Sequence, residues 1–90
     1  MRYLRSMEFS STVNERVSAA QCRAARSLLG WTIEELAQHS GVSRRTLGFF
    51  EAGERRPQAA TLEKIVAALS EQGIGFINDG TVVGVVRDIA

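Results

Sequence analysis

Residues 32–50, TIEELAQHSGVSRRTLGFF, carry the start and stop signals of two short helices separated by a tight turn. Thr32 followed by Glu35 makes a capping box: the Thr hydroxyl accepts a free backbone N–H and the Glu carboxylate reaches back to the cap. Trp31 and Leu36 stand at the two positions of a hydrophobic staple, which fixes how the chain enters the helix. Ile33, Leu36 and Ala37 then fall on one face, the spacing of a buried stripe. Gly41 follows where the helix has to stop, because glycine takes up positive φ without a steric penalty. Ser43 is an N-cap residue for a second helix whose apolar stripe is Leu47 and Phe50. Helix, glycine turn and helix together form a helix-turn-helix signature.

Outward from this stretch, Ser18 caps a helix that runs through Leu29 and closes at Gly30. Cys22, Ala25, Leu28 and Leu29 recur at three- and four-residue spacing on it and are expected to face the core, with Cys22 a small buried hydrophobe. On the other side, Leu62, Ile65, Val66 and Leu69 mark an amphipathic helix that ends near Ser70, with Pro57 before it and Gly73 at its exit. The period then changes. Ile74–Ile77 and Val82–Val86 are β-branched or aromatic runs around Asn78, Asp79 and Gly80, which predicts a hairpin. The fold class expected is mainly α: a bundle of about four helices with a C-terminal β-hairpin.

An isolated hairpin is marginal in water, and this one has apolar residues on both faces. Two arrangements stay open. Hairpins of two subunits meet through Ile74, Phe76, Ile77, Val82, Val83, Val85 and Val86, by edge pairing or face packing, or the hairpin folds onto its own helices. The chain thus divides into residues 1–17, a tail or arm, residues 18–71, the helical domain, and residues 72–90, the hairpin.

Ninety residues suit one small domain, and 44% hydrophobic residues are normal for a globular protein and argue against disorder throughout. A net charge of +1 means that any basic surface must be local. One Cys and one His provide neither an internal disulfide nor a structural zinc site. No apolar run approaches the ~20 residues of a membrane span, and no signal-peptide core opens the chain, so a cytoplasmic location is expected. No nucleophile–base–acid set, phosphate-binding glycine loop or paired carboxylates can be assembled, which argues against an enzyme.

Ala37, Gly41, Val42, Leu47 and Phe50 sit at spacings that resemble the Cro/CI-like, or Xre-type, helix-turn-helix family. The segment Glu51–Pro57, EAGERRP, is similar to that family's E-x-G-x-x-x-P element, and the likeness covers roughly residues 19–69. It implies a lambda-repressor-like bundle that binds double-stranded DNA without a cofactor. It also implies an ion pair between Arg26 on the first helix and Glu51 after the recognition helix. Relatives often end in helices, so the resemblance leaves the hairpin open.

In such a protein the second helix of the pair lies in the major groove with its N-terminal residues against base edges. Ser43, Arg44, Arg45 and Thr46 occupy that tip. The two arginines point about 100° apart, so one can read a base while the other holds a phosphate, in either assignment. Phe49, one turn on, is placed either to press on a thymine methyl or to pack in the core. Phosphate contacts are expected from the helix N-terminus at Thr32 and Ile33, from Gln38, and from Arg55 and Arg56 in the following loop. Arg2 and Arg5 belong to a loose tail or to an arm that reaches DNA or a partner subunit. His39 is expected on the solvated side of its helix. The leading function is a dimeric, sequence-specific repressor on an inverted-repeat operator. The alternative is an antitoxin or anti-regulator that acts mainly by binding a partner protein.

Overall fold

The computed structural model describes residues 17–89; Arg2, Arg5 and the rest of residues 1–16 lie outside the described residues. Four helices precede a hairpin: α1 (Ala19–Leu29), α2 (Ile33–Ser40), α3 (Arg44–Glu51), α4 (Ala59–Ser70), β1 (Ile74–Asn78) and β2 (Val83–Arg87). The mainly α class and the terminal hairpin are as the pattern predicts. No helix among the described residues is long and apolar enough to cross a membrane.

The caps work as the sequence implies. The hydroxyl of Ser18 accepts from Gln21 N and that of Thr32 from Glu35 N, each inside a reciprocal capping box. Gly41 closes α2 at φ 73°, donating its N–H to the Ala37 carbonyl. Cys22, Ala25, Leu36, Leu47, Leu62, Ile65 and Leu69 form the centre of the core. Leu28 departs from expectation, being 48% exposed. It lies about 100° around the helix from Leu29, which packs against the core. Val17, grouped with the tail on sequence, is 1% exposed in that same core.

The hairpin packs on α1 and α4, whereas α3 packs on α1 and α2. Its register pairs Phe76 with Val85 and Ile77 with Gly84. The whole of β1 is buried except Asn78. Ile74, Phe76 and Ile77, assigned on sequence to a subunit interface, therefore sit inside the chain. The reason is that the helices supply the cover a two-stranded sheet requires. Val82 and Val83 are exposed, and Val85 and Val86 are half-buried.

Gln21 docks the hairpin. Its amide donates to the carbonyls of Ile77 and Gly84, at 3.1 and 3.0 Å, and its oxygen accepts from Ser18 N. A buried amide used on all sides costs little, whereas one left unpaired costs ~1–3 kcal/mol. The turn also differs from a two-residue Asp-Gly loop: four residues, 79–82, lie between the paired Asn78 and Val83. Asp79 Oδ1 accepts from the N–H groups of Val82 and Thr81, which bends the loop and lowers that carboxyl below its ordinary range.

Candidate nucleic-acid interface

The orientation of α3 is set at its C-terminal end. Glu51 is 4% exposed and receives the Arg26 guanidinium on both carboxylate oxygens, with the closest approach 2.8 Å from Nη2 to Oε1. Arg26 Nη1 also donates to the Trp31 carbonyl at 2.8 Å, which ties the entry of α2 to the same side chain. The hydrogen bond to Glu51 raises the Arg26 pKa further, so the guanidinium stays charged. Arg23 Nη1 donates to the backbone carbonyl of Glu51. Sequence reasoning did not find Arg23; its place one turn before Arg26 on α1 was the available signal. Two cations at the carbonyl end of α3 also complement its dipole. Cys22 donates its thiol to Glu51 Oε2 at 3.5 Å. Burial, with the Glu51 charge adding to it, raises this thiol far above the ordinary range, so it remains neutral.

The other end of α3 points away from this clamp. Ser43 Oγ accepts from Thr46 N at 3.1 Å and donates to Thr46 Oγ1 at 2.9 Å, so the two candidate base-contact hydroxyls first serve each other as a cap. Arg44 and Arg45 are exposed in the first turn, where no acidic residue offsets them. A cation near a helix N-terminus opposes the dipole by ~0.3–1 kcal/mol. The arrangement thus has a local cost and suits an anion brought from outside.

A shallow groove lined by Ile33, Arg44, Arg45 and Gly48 separates the tip of α3 from the start of α2. At that start, Thr32 N is taken by Glu35 Oε1 and Glu35 N by Thr32 Oγ1. Among the described residues, the N–H groups of Ile33 and Glu34 are the two at this helix start that the capping box does not take, which suits an external acceptor. Gln38 is exposed on the same helix. The Trp31 ring stacks on His39, centroids 4.1 Å apart, so His39 is an aromatic partner as well as a surface residue.

Phe49 is half-buried and is flanked by two guanidinium groups: Arg45 Cζ lies 5.4 Å and Arg55 Cζ 5.3 Å from its ring centroid. Arg45, Thr46, Phe49, Arg55 and Pro57 line a small hollow there. Arg56, beside Arg55 in the sequence, is exposed as well, but its guanidinium is engaged: it donates to the Val17 carbonyl at 2.9 Å and lies over the Phe50 ring. The structure therefore gathers Arg45, Phe49 and Arg55 around one hollow, places Arg44 and Arg45 along the groove facing Ile33, and ties the exposed Arg56 to Val17 and Phe50.

Comparison with known proteins bears on this geometry. The sequence profile of the helix-turn-helix family HTH_3 matches residues 23–71. The HTH-type transcriptional regulator SutR of Escherichia coli strain K12 is 35% identical over 63 residues, which are 70% of this chain and 35% of that protein. An uncharacterized HTH-type transcriptional regulator of Mycobacterium tuberculosis strain H37Rv is 34% identical over 59 residues, 66% of this chain and 21% of that protein. The chain thus spans between a fifth and about a third of the length of these curated relatives. Among solved structures, an HTH_3 family transcriptional regulator from Vibrio cholerae matches with a TM-score of 0.57 at 24% identity, over 74% of this chain and 50% of that one; this is a likeness of fold.

Proposed function

Since the chain belongs to the Cro/CI-like helix-turn-helix family, we propose that it is a sequence-specific DNA-binding transcriptional regulator, a dimeric repressor that reads an inverted repeat through the major groove. The observation that carries this reading is the exposed Arg44–Arg45 tip of α3, unbalanced by any acidic residue in its first turn. In this reading Ser43, Arg44, Arg45, Thr46 and Phe49 meet bases or the groove wall. Thr32, Ile33, Gln38, Arg55 and Arg56 follow the phosphates, with Arg56 restrained by its bond to the Val17 carbonyl. Binding then depends on salt, because phosphate neutralisation releases counterions.

Arg44→Glu and Arg45→Glu separate function from fold. Each replaces a cation that opposes the α3 dipole with an anion that favours it, so thermal unfolding should stay level or rise by a few tenths to ~1 kcal/mol of stability. DNA affinity should fall at least about 100-fold through lost base or phosphate contacts and added repulsion. Anisotropy titration beside thermal unfolding checks both halves; undiminished affinity in both variants removes α3 as the reading element.

The dimer is supported by apolar surface at the end of the chain: Val83 is 59% and Ile89 85% exposed. A two-fold assembly spaces two recognition helices ~34 Å apart, one DNA turn. Val83→Lys should shift the protein toward monomer in sedimentation equilibrium. A parent protein that is already monomeric at high concentration contradicts the dimer.

A further inference from the structure

The sequence leaves open which of the two adjacent arginines reads a base. The core-facing side chains of α3 are Leu47, Phe50 and Glu51. At 100° per residue, the opposite pole of the helix falls within about 15° of Arg45 and about 25° of Phe49, while Arg44 lies about 115° away. The outermost ridge of α3 is therefore Arg45 with Phe49, one turn apart. Arg44 lies to the side; both arginines border the groove with Ile33 and Gly48, but Arg45 alone of the two also reaches the Phe49 ring.

The same ridge carries a second, independent feature. Arg45 is held against the Phe49 ring, whose negative face attracts the guanidinium. The backbone at Phe49 is anchored, since its carbonyl accepts the N–H groups of both Glu54 and Arg55, and the Arg55 guanidinium lies 5.3 Å from the same ring. A free arginine gives up rotamer entropy when it is ordered. One already stacked gives up less on binding and keeps the donors at its edge directed outward.

We propose that Arg45 is the guanine-reading side chain of α3 and that Phe49 is its positioning residue, with Arg44 meeting the phosphate backbone on the α2 side. This rests on the DNA-binding reading above. A planar fork of donors suits guanine O6 and N7 together, and the contact with the Phe49 ring restricts where that fork can lie. Phe49 acts through Arg45 rather than by pressing on a thymine methyl.

The probe is a duplex that the intact protein selects from a randomised pool, then remade with 7-deazaguanine at each guanine in turn to remove the N7 acceptor. At one guanine the change should weaken the parent protein severalfold and leave Arg45→Ala unaffected. Arg45→Ala itself should lose about 5- to 150-fold in affinity for the selected duplex. Phe49→Leu should lose part of that preference, keep the salt slope, and add nothing when combined with Arg45→Ala, whereas Phe49→Tyr retains the ring and the preference. Arg44→Ala should weaken selected and scrambled duplexes alike and reduce the salt slope by about 1. The assignment is overturned if Arg45→Ala keeps the 7-deazaguanine penalty. It is equally overturned if the Phe49→Leu loss adds in full or maps to a thymine. A protein that selects no sequence from the pool contradicts the DNA-binding reading itself, and the assignment goes with it.

Discussion

Replacing Arg26 by alanine should lower the unfolding free energy by about 3 kcal/mol, the low end of the loss when one partner of a buried ion pair is removed, because Glu51 is buried while Arg26 is 22% exposed. The variant leaves the Glu51 carboxylate, 4% exposed, with the Cys22 thiol as its remaining side-chain donor among the described residues. It also frees the Trp31 carbonyl that Arg26 Nη1 now satisfies. Small domains hold ~5–15 kcal/mol in all, so a loss of this size brings much of the population near unfolding at 37 °C. Replacing both partners, Arg26→Met with Glu51→Leu, should recover most of the stability, because a well-packed apolar pair escapes the desolvation of two charges. That double variant should nevertheless bind DNA less well than the parent protein, since the clamp that aims α3 is gone. Urea unfolding followed by circular dichroism measures the first effect; a loss below ~1 kcal/mol for Arg26→Ala would place the pair among weak surface contacts.

The second large effect is expected at Gly73, between α4 and β1. Its φ is 87°, and its carbonyl accepts the Asp88 N–H at 2.8 Å, which draws the two ends of the hairpin together. A Cβ at this position would overlap the Asp88 carbonyl oxygen, a backbone atom that moves only with the end of the hairpin. Gly73→Ala therefore combines left-handed strain of ~1–2 kcal/mol with displacement of the strand ends, about 2–4 kcal/mol in total. Gly41→Ala is the matched control. It has φ 73° but nothing within 4 Å of the added carbon, so only the strain remains. Thermal unfolding of the two variants should show Gly73→Ala clearly the worse, at ~4–8 °C per kcal/mol for a domain of this size. Equal losses would mean that the approach of Asp88 contributes nothing.

These residues also mark where the sequence was informative. The helix-turn-helix was legible because its signals are local: Thr32 with Glu35, Gly41, Ser43, and the spacing of Leu47 and Phe50 all act within one or two turns. The basic tip at Arg44 and Arg45 could be read for the same reason. What could not be read depends on contacts between distant parts of the chain. Gln21 meets Ile77 and Gly84, 56 and 63 residues away. Arg56 turns back to Val17, which brings a residue grouped with the tail into the core. For the hairpin, the period-two pattern gave the strands but could not say what covers them. The α1 and α4 surfaces do so, which moves Ile74, Phe76 and Ile77 from a supposed interface to the interior. The Asp-Gly pair located the turn, while the bonds from Asp79 Oδ1 set its length. Phe49 shows the same limit at the site, since its arginine neighbours come partly from the loop beyond α3.

The central claim, that α3 reads DNA by sequence, is tested most directly by fluorescence anisotropy of the protein on a selected duplex against its scrambled counterpart, at several salt concentrations. The expected result is a preference of ~10³-fold or more for the selected duplex, with affinity falling steeply as salt rises. Equal and weak binding to both duplexes would contradict it and leave the exposed arginines of α3 without the role assigned to them.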